Sequence, residues 1–153
     1  MIKKIIFAVC LTVAFFGFSA IAQDKTLVNN AEAKTMLLGE HKFSLQWISW
    51  DYFGTASVTD ENGIYYLRGT QNGRGEAIED YSTIEGVITS IDAKEFAFSG
   101  KIIMRISHIN NGEPCERVGD YTFKITGKRK YWRLQQMDNP CEAVADYVDI
   151  YFR

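Results

Sequence analysis

EFAFSGKIIMRISH (Glu95–His108) alternates with period two. Phe96, Phe98, Gly100, Ile102, Met104 and Ile106 fall on one side; Ala97, Ser99, Lys101, Ile103, Arg105 and Ser107 fall on the other. Successive side chains of a β-strand point to opposite faces, so this run predicts a strand with one buried and one solvated face. A strand of that length has to bend around a core. Gly86 and Gly100, which carry no Cβ, are the places where bending costs least.

The same period runs outward in both directions. Strands are expected near 41–50, 54–59, 63–70, 82–91, 95–108, 120–126, 130–136 and 146–152. The punctuation between them is legible. Glu61-Asn62-Gly63 suits a tight hairpin because Asn and Gly tolerate positive φ. Asp92-Ala93-Lys94 and Gly127-Lys128-Arg129 make further turns, and Asn110-Asn111-Gly112 begins a loop. Gln71 to Asp80 is expected as a flexible surface loop. One helix is expected, Asn30 to Gly39, capped by Asn29 or Asn30 and stopped at Gly39. Eight meandering strands, each with one apolar face, predict an all-β fold: an eight-stranded antiparallel meander barrel with a short N-terminal helix. In this reading the last strand pairs with the first and removes both edges. A two-sheet β-sandwich is the alternative.

PCERVGDY (Pro114–Tyr121) and PCEAVADY (Pro140–Tyr147) share six of eight positions. Each is expected to lead into a strand, with one strand between them. Both frames then lie at the same end of the sheet, where Cys115 and Cys141 can meet as a disulfide. Such a bridge stabilises by about 3.5 kcal/mol on a chain-entropy estimate. Asp120 and Asp146 are expected to hydrogen-bond local backbone at the strand starts. A metal site would want further ligands at useful spacing, and a redox pair would prefer CxxC.

The chain opens MIKKIIFAVCLTVAFFGFSAIAQ. Lys3 and Lys4 precede an apolar run, and Ala20-Ile21-Ala22 supplies small residues at the positions a signal peptidase reads. Residues 1–22 are therefore expected to be a cleaved secretory signal peptide, and residues 23–153 a single β-barrel domain, secreted or periplasmic. Cys10 leaves with the signal. No membrane span is expected after cleavage. The formal charge of −2 becomes −4 once Lys3 and Lys4 are removed, which argues against a nucleic-acid partner. The one basic cluster, Lys124, Lys128, Arg129, Lys130 and Arg133, reads as a solvated hairpin tip.

No nucleophile elbow, HExxH or phosphate loop is present, and no catalytic residue, cofactor or metal site is expected. His41 and His108 read as surface or rim residues. Asp51, Asp60, Glu61, Glu79 and Asp80 lie in turns and loops, and nothing marks a catalytic pair among them. The inward faces, as read here, carry no charge. The barrel is then either filled by its own side chains or holds a neutral apolar ligand, with Trp47, Tyr65, Phe98, Met104 and Trp132 as its contacts. The stretch QWISWDYFG (Gln46–Gly54) suggests a second kind of site: Trp50 and Tyr52, with Tyr66, as an outward aromatic platform for a glycan or protein partner.

The order of a signal peptide, a short helix ending at Gly39, an alternating barrel and a late disulfide resembles the lipocalin-like (calycin) secreted proteins, especially small bacterial ones. The usual Gly-x-Trp of that family has Gly39-Glu40-His41 in its place here. The resemblance implies binding of a small hydrophobic molecule inside the barrel and no catalysis. The alternative reading is a non-enzymatic surface-binding module with a filled core.

Overall fold

Period-two alternation closes into a cylinder. In the computed structural model, which describes residues 24–153, eight strands follow one another around a barrel. The expected signal peptide, its cleavage before Gln23 and Cys10 lie outside the described residues. A two-residue strand β1 (Leu27–Val28) and helix α1 (Ala31–Leu37) precede the barrel. The barrel strands are β2 (Gly39–Leu45), β3 (Gly54–Glu61), β4 (Ile64–Asn72), β5 (Tyr81–Ile91), β6 (Glu95–Arg105), β7 (Cys115–Lys124), β8 (Tyr131–Leu134) and β9 (Val148–Tyr151). Each is antiparallel to the next, and β9 pairs with β2 through Phe43–Ile150 and Leu45–Val148. The sheet has no open edge along the meander, which removes the usual template for edge pairing. β1 adds in parallel beyond the end of β4, at Ser90 and Ile91 of β5.

The two ends of the barrel differ. One carries the tight turns at Asn62-Gly63, Asp92–Lys94 and Thr126–Lys130, and is covered by α1. Asn30 Oδ1 accepts the Ala33 N–H at 2.8 Å, and Ala33 and Leu37 face the core. Asn62 and Gly63 both have positive φ, as their hairpin requires. The other end carries the long connections 46–53, 73–80, 106–114 and 135–147, and the Cys115–Cys141 disulfide.

Directly opposed residues share a face, so the register writes out the interior in rows. Tyr65, Ile88, Phe98 and Tyr121 form one row; Leu67, Gly86, Gly100 and Gly119 form the next. Gly86 and Gly100 are there because facing backbone and the Phe98 ring together occupy the space a Cβ would take. A Cβ at Gly100 would lie 2.5 Å from Phe98 Cζ, and one at Gly86 2.7 Å from Phe98 Cε2. Gly86 and Gly100 face each other across β5 and β6. Around this point Phe96 stacks on Phe123 at 5.0 Å, and Trp132 meets Phe152 at 4.7 Å and Phe96 at 5.9 Å.

Several expectations are corrected. The first strand ends at Leu45, because Ile48 and Ser49 turn back to donate to the Leu45 carbonyl. Trp47 is thus half-buried in a turn, while Ile48 is buried. His41 is buried as well: its ring nitrogens lie 2.8 Å from the Tyr151 oxygen and 2.7 Å from the Leu37 oxygen, joining the last strand to the helix. The sixth barrel strand, β7, starts at Cys115, not at 120. The two PCExVxDY frames therefore differ in conformation, the first lying in β7 and the second in irregular chain before β9.

Candidate functional site

The five residues expected to contact an interior ligand are spread along the barrel. Tyr65 and Phe98 flank Ile88 in one row. Met104 lies opposite Cys115 at the disulfide end, Trp132 lies opposite Ile150, and Trp47 stands in the turn beyond β2. Tyr65, Phe98, Met104 and Trp132 are each less than 5% exposed and pack into the aromatic core.

The interior does hold a charge at its disulfide end, contrary to the sequence reading. Arg117 lies opposite Ile102 on the inner face, in phase with Tyr121 and Phe123. It is buried and donates to the Gln136 and Asp138 carbonyls at 2.8 and 3.1 Å and to Asp146 Oδ2 at 2.5 Å. Asp146 also accepts from Trp47 Nε1 at 3.0 Å and from Asn139 Nδ2. Its role is this network and not a local backbone turn. Burial pushes the Asp146 carboxyl above its ordinary value, against the opposing pull of Trp47, Asn139 and Arg117. Asn139 Oδ1 accepts the N–H groups of Cys141 and Glu142. Disulfide, ion pair and Asn139 together fasten the 135–147 segment across the end of the barrel. The bridge joins residues 26 apart, with Cys115 buried and Cys141 exposed.

A second buried pair sits on the outer face of the wall. Arg133 Nε and Nη2 donate to the two Asp149 oxygens at 2.7 and 2.6 Å, a bidentate geometry. Arg133 is thus not part of the solvated hairpin tip, although Lys128, Arg129 and Lys130 are exposed there. The pair is roofed by half-buried rings. The guanidinium lies 4.3 Å from the Tyr147 ring centre and 5.2 Å from that of Tyr131. Tyr131 packs on Tyr151 at 5.1 Å, and Tyr151 on Phe53 at 5.0 Å. Burial pushes the Asp149 carboxyl and the Tyr151 hydroxyl up, while hydrogen bonding to Asp149 holds the Arg133 proton more firmly. The sequence signal for this wall was present as Tyr131, Tyr147 and Tyr151, all of outward parity around Trp132, Val148 and Ile150.

The expected platform of Trp50, Tyr52 and Tyr66 is not brought together. Trp50 is 52% exposed in the 46–53 loop, and Tyr52 lies beside it under Arg74 at 4.2 Å. Tyr66 stands near the helix end of β4, under Arg68 at 5.0 Å. The loop carboxylates hold the chain: Asp80 accepts from the Ser107 N–H and hydroxyl, and Asp60 from the Gly63 N–H. Among the described residues no three His, Cys, Asp or Glu side chains cluster as metal ligands, and no helix is long and apolar enough to cross a membrane. Two concavities of about 290 and 340 Å³ meet at Arg68 and Gly69 on the outer wall.

Residues 25–152 match the PM1083 family. The chain is similar to uncharacterised protein PM1083 of Pasteurella multocida (strain Pm70), with 41% identity covering 99% of this chain and 96% of that protein. No solved structure matches. The chain belongs to the PM1083 family.

Proposed function

We propose that this member of the PM1083 family is an exported, non-enzymatic binding protein, lipocalin-like in its barrel but filled inside, that meets its partner through its outer surface. The observation that carries this reading is the interior packing. Phe96, Phe98, Phe123, Trp132 and Phe152 interdigitate at ring separations of 4.7 to 6.1 Å. Phe98 fills the space that side chains at Gly86 and Gly100 would need. Four of the side chains expected to line a ligand chamber, Tyr65, Phe98, Met104 and Trp132, are themselves packed into the core, in keeping with an eight-stranded barrel just wide enough for its own side chains. The meander and the helix over one end support the lipocalin-like reading, and the disulfide supports an oxidising, extracytoplasmic setting. A small apolar molecule inside the barrel, held by Trp47, Tyr65, Phe98, Met104 and Trp132, is the competing reading.

Mass spectrometry on the protein purified from its own host separates the two. Under native conditions the mass is expected to equal that of the bare oxidised polypeptide beginning at Gln23. A native mass heavier by a few hundred daltons, lost on denaturation, would make the barrel a container and sink the surface reading. A denatured mass that retains residues 1–22 would sink the export reading.

A further inference from the structure

The outer wall over the Arg133–Asp149 pair is built as a row. Lys42 Nζ lies 5.2 Å from the Phe53 ring centre, Phe53 packs on Tyr151 at 5.0 Å, Tyr151 on Tyr131 at 5.1 Å, and the Arg129 guanidinium lies 5.6 Å from the Tyr131 centre. Three rings thus follow one another in contact, tilted by 65° and 51°, with a cation at each end. Strand register sets the row: Lys42 lies in β2, Tyr151 in β9 and Tyr131 in β8, with Tyr131 opposite Tyr151. Both charged ends of the row are cationic. Lys42 and Arg129 are exposed and have no carboxylate partner among the described residues. The one carboxylate beneath the rings, Asp149, is neutralised by Arg133. This basic row lies on a chain of net negative charge, so the wall has a different preference from the rest of the surface.

We propose that the row Lys42–Phe53–Tyr151–Tyr131–Arg129 binds an acidic glycan, a chain of sugar rings bearing carboxylates. The proposal rests on the surface-binding reading above and names its surface and partner class. The exposed parts of the half-buried rings offer apolar surface to the C–H groups of sugars, and the tyrosine hydroxyls add hydrogen-bonding groups beside them. The end cations answer carboxylates on the polymer. Arg133, pinned by Asp149 and lying against Tyr147 and Tyr131, holds the rings in place before any ligand arrives, so less ordering is lost on binding. A protein partner would draw its affinity from an anchor side chain buried in a socket.

The test is binding of the mature, oxidised protein to sodium polygalacturonate, to alginate and to hyaluronate by affinity electrophoresis and calorimetry. Methyl-esterified polygalacturonate and poly-L-glutamate serve as comparisons. At least one acidic polysaccharide is expected to bind, at least tenfold more tightly than poly-L-glutamate. If polygalacturonate is the binder, its methyl ester should also be at least tenfold weaker. The double variant Lys42→Gln/Arg129→Gln, which alters only exposed side chains, should weaken binding at least tenfold. Tyr131→Ala should do the same if its melting curve shows it folded. Binding should weaken with added salt, because exposed cations are screened. Equal binding of poly-L-glutamate would make the row an acidic-peptide surface and overturn the proposal. So would no binding of all three polysaccharides, or binding that survives the double variant. Those results leave a bare native mass unexplained but intact, whereas a cargo mass would remove the surface reading itself.

Discussion

Arg117–Asp146 and Arg133–Asp149 are the same chemical pair set on opposite faces of one barrel wall. Arg117 points inward at the disulfide end and has three acceptors, two of them backbone carbonyls. Arg133 points outward and has Asp149 as its one hydrogen-bonding partner, with ring faces of Tyr147 and Tyr131 on its other sides. Asp146 in turn serves Trp47 and Asn139, while Asp149 serves Arg133. The inner pair is one strand of a net that ties down a segment. The outer pair is a closed unit whose product is a rigid aromatic surface. A buried ion pair is weak evidence for stability as such, because desolvation opposes the attraction. What it specifies depends on what else each partner holds.

The comparison can be broken most forcefully on the outer face. Asp149→Ala leaves Arg133 buried with no acceptor, and a cost of about 3–5 kcal/mol is expected in urea unfolding. Replacing both partners, Arg133→Met with Asp149→Leu, should recover most of that loss, since no charge is then stranded. If the double change is as damaging as the single one, the pair is doing more than satisfying itself. Next in size is the disulfide. Cys115→Ser with Cys141→Ser is expected to cost about 3.5 kcal/mol for the loop it closes.

Asp146→Ala should cost less than Asp149→Ala, about 2 kcal/mol, because Arg117 keeps the Gln136 and Asp138 carbonyls. Its cost should differ by about 1 kcal/mol when measured without the disulfide, since the two fasten the same segment and cannot act independently. Strict additivity of the three substitutions would show that the inner net is separate contacts.

How each pair escaped the sequence is itself physical. The meander, its closure by the last strand on the first, the hairpin at Asn62-Gly63 and the bridge between Cys115 and Cys141 were legible, because each depends on local chemistry or on parity within one run. Arg117 has the same parity as Tyr121 and Phe123, but Pro114, Gly119 and Asp120 argue for a strand that begins late. The strand in fact starts at Cys115, which pairs with Met104, and it runs through Gly119 opposite Gly100. Trp47 was misplaced for the opposite reason: alternation continues in letters past Leu45 while the chain turns. The outer wall was hidden differently. Parity places Arg133 outward correctly, yet an outward residue need not be solvated. Nothing in one strand says that the tyrosines of its neighbours will roof it. Tyr131, Tyr147 and Tyr151 become a surface only once β8 and β9 are side by side.

The smallest expected effect is also the one whose sign separates burial from pairing. Burial raises the Asp146 carboxyl above its ordinary value, so the folded chain holds that proton at pH values where the unfolded chain has released it. The folded state then binds more protons, and the contribution of this group to stability falls as pH rises. It is fully present below the ordinary carboxylate value and is lost as pH rises through the raised one. Wild type should therefore gain stability relative to Asp146→Asn on going from about pH 7 to about pH 4. Asn keeps the shape and the acceptor but has no proton to take up. The surface carboxylates titrate alike in both proteins and cancel in the difference. Moderate salt should leave the gain nearly unchanged, because a buried pair is poorly screened. A loss over the same range would mean that Arg117 holds Asp146 charged more strongly than burial discharges it. The inner pair would then stabilise by charge, and its role as a fastener would rest on attraction as well as on the net it joins.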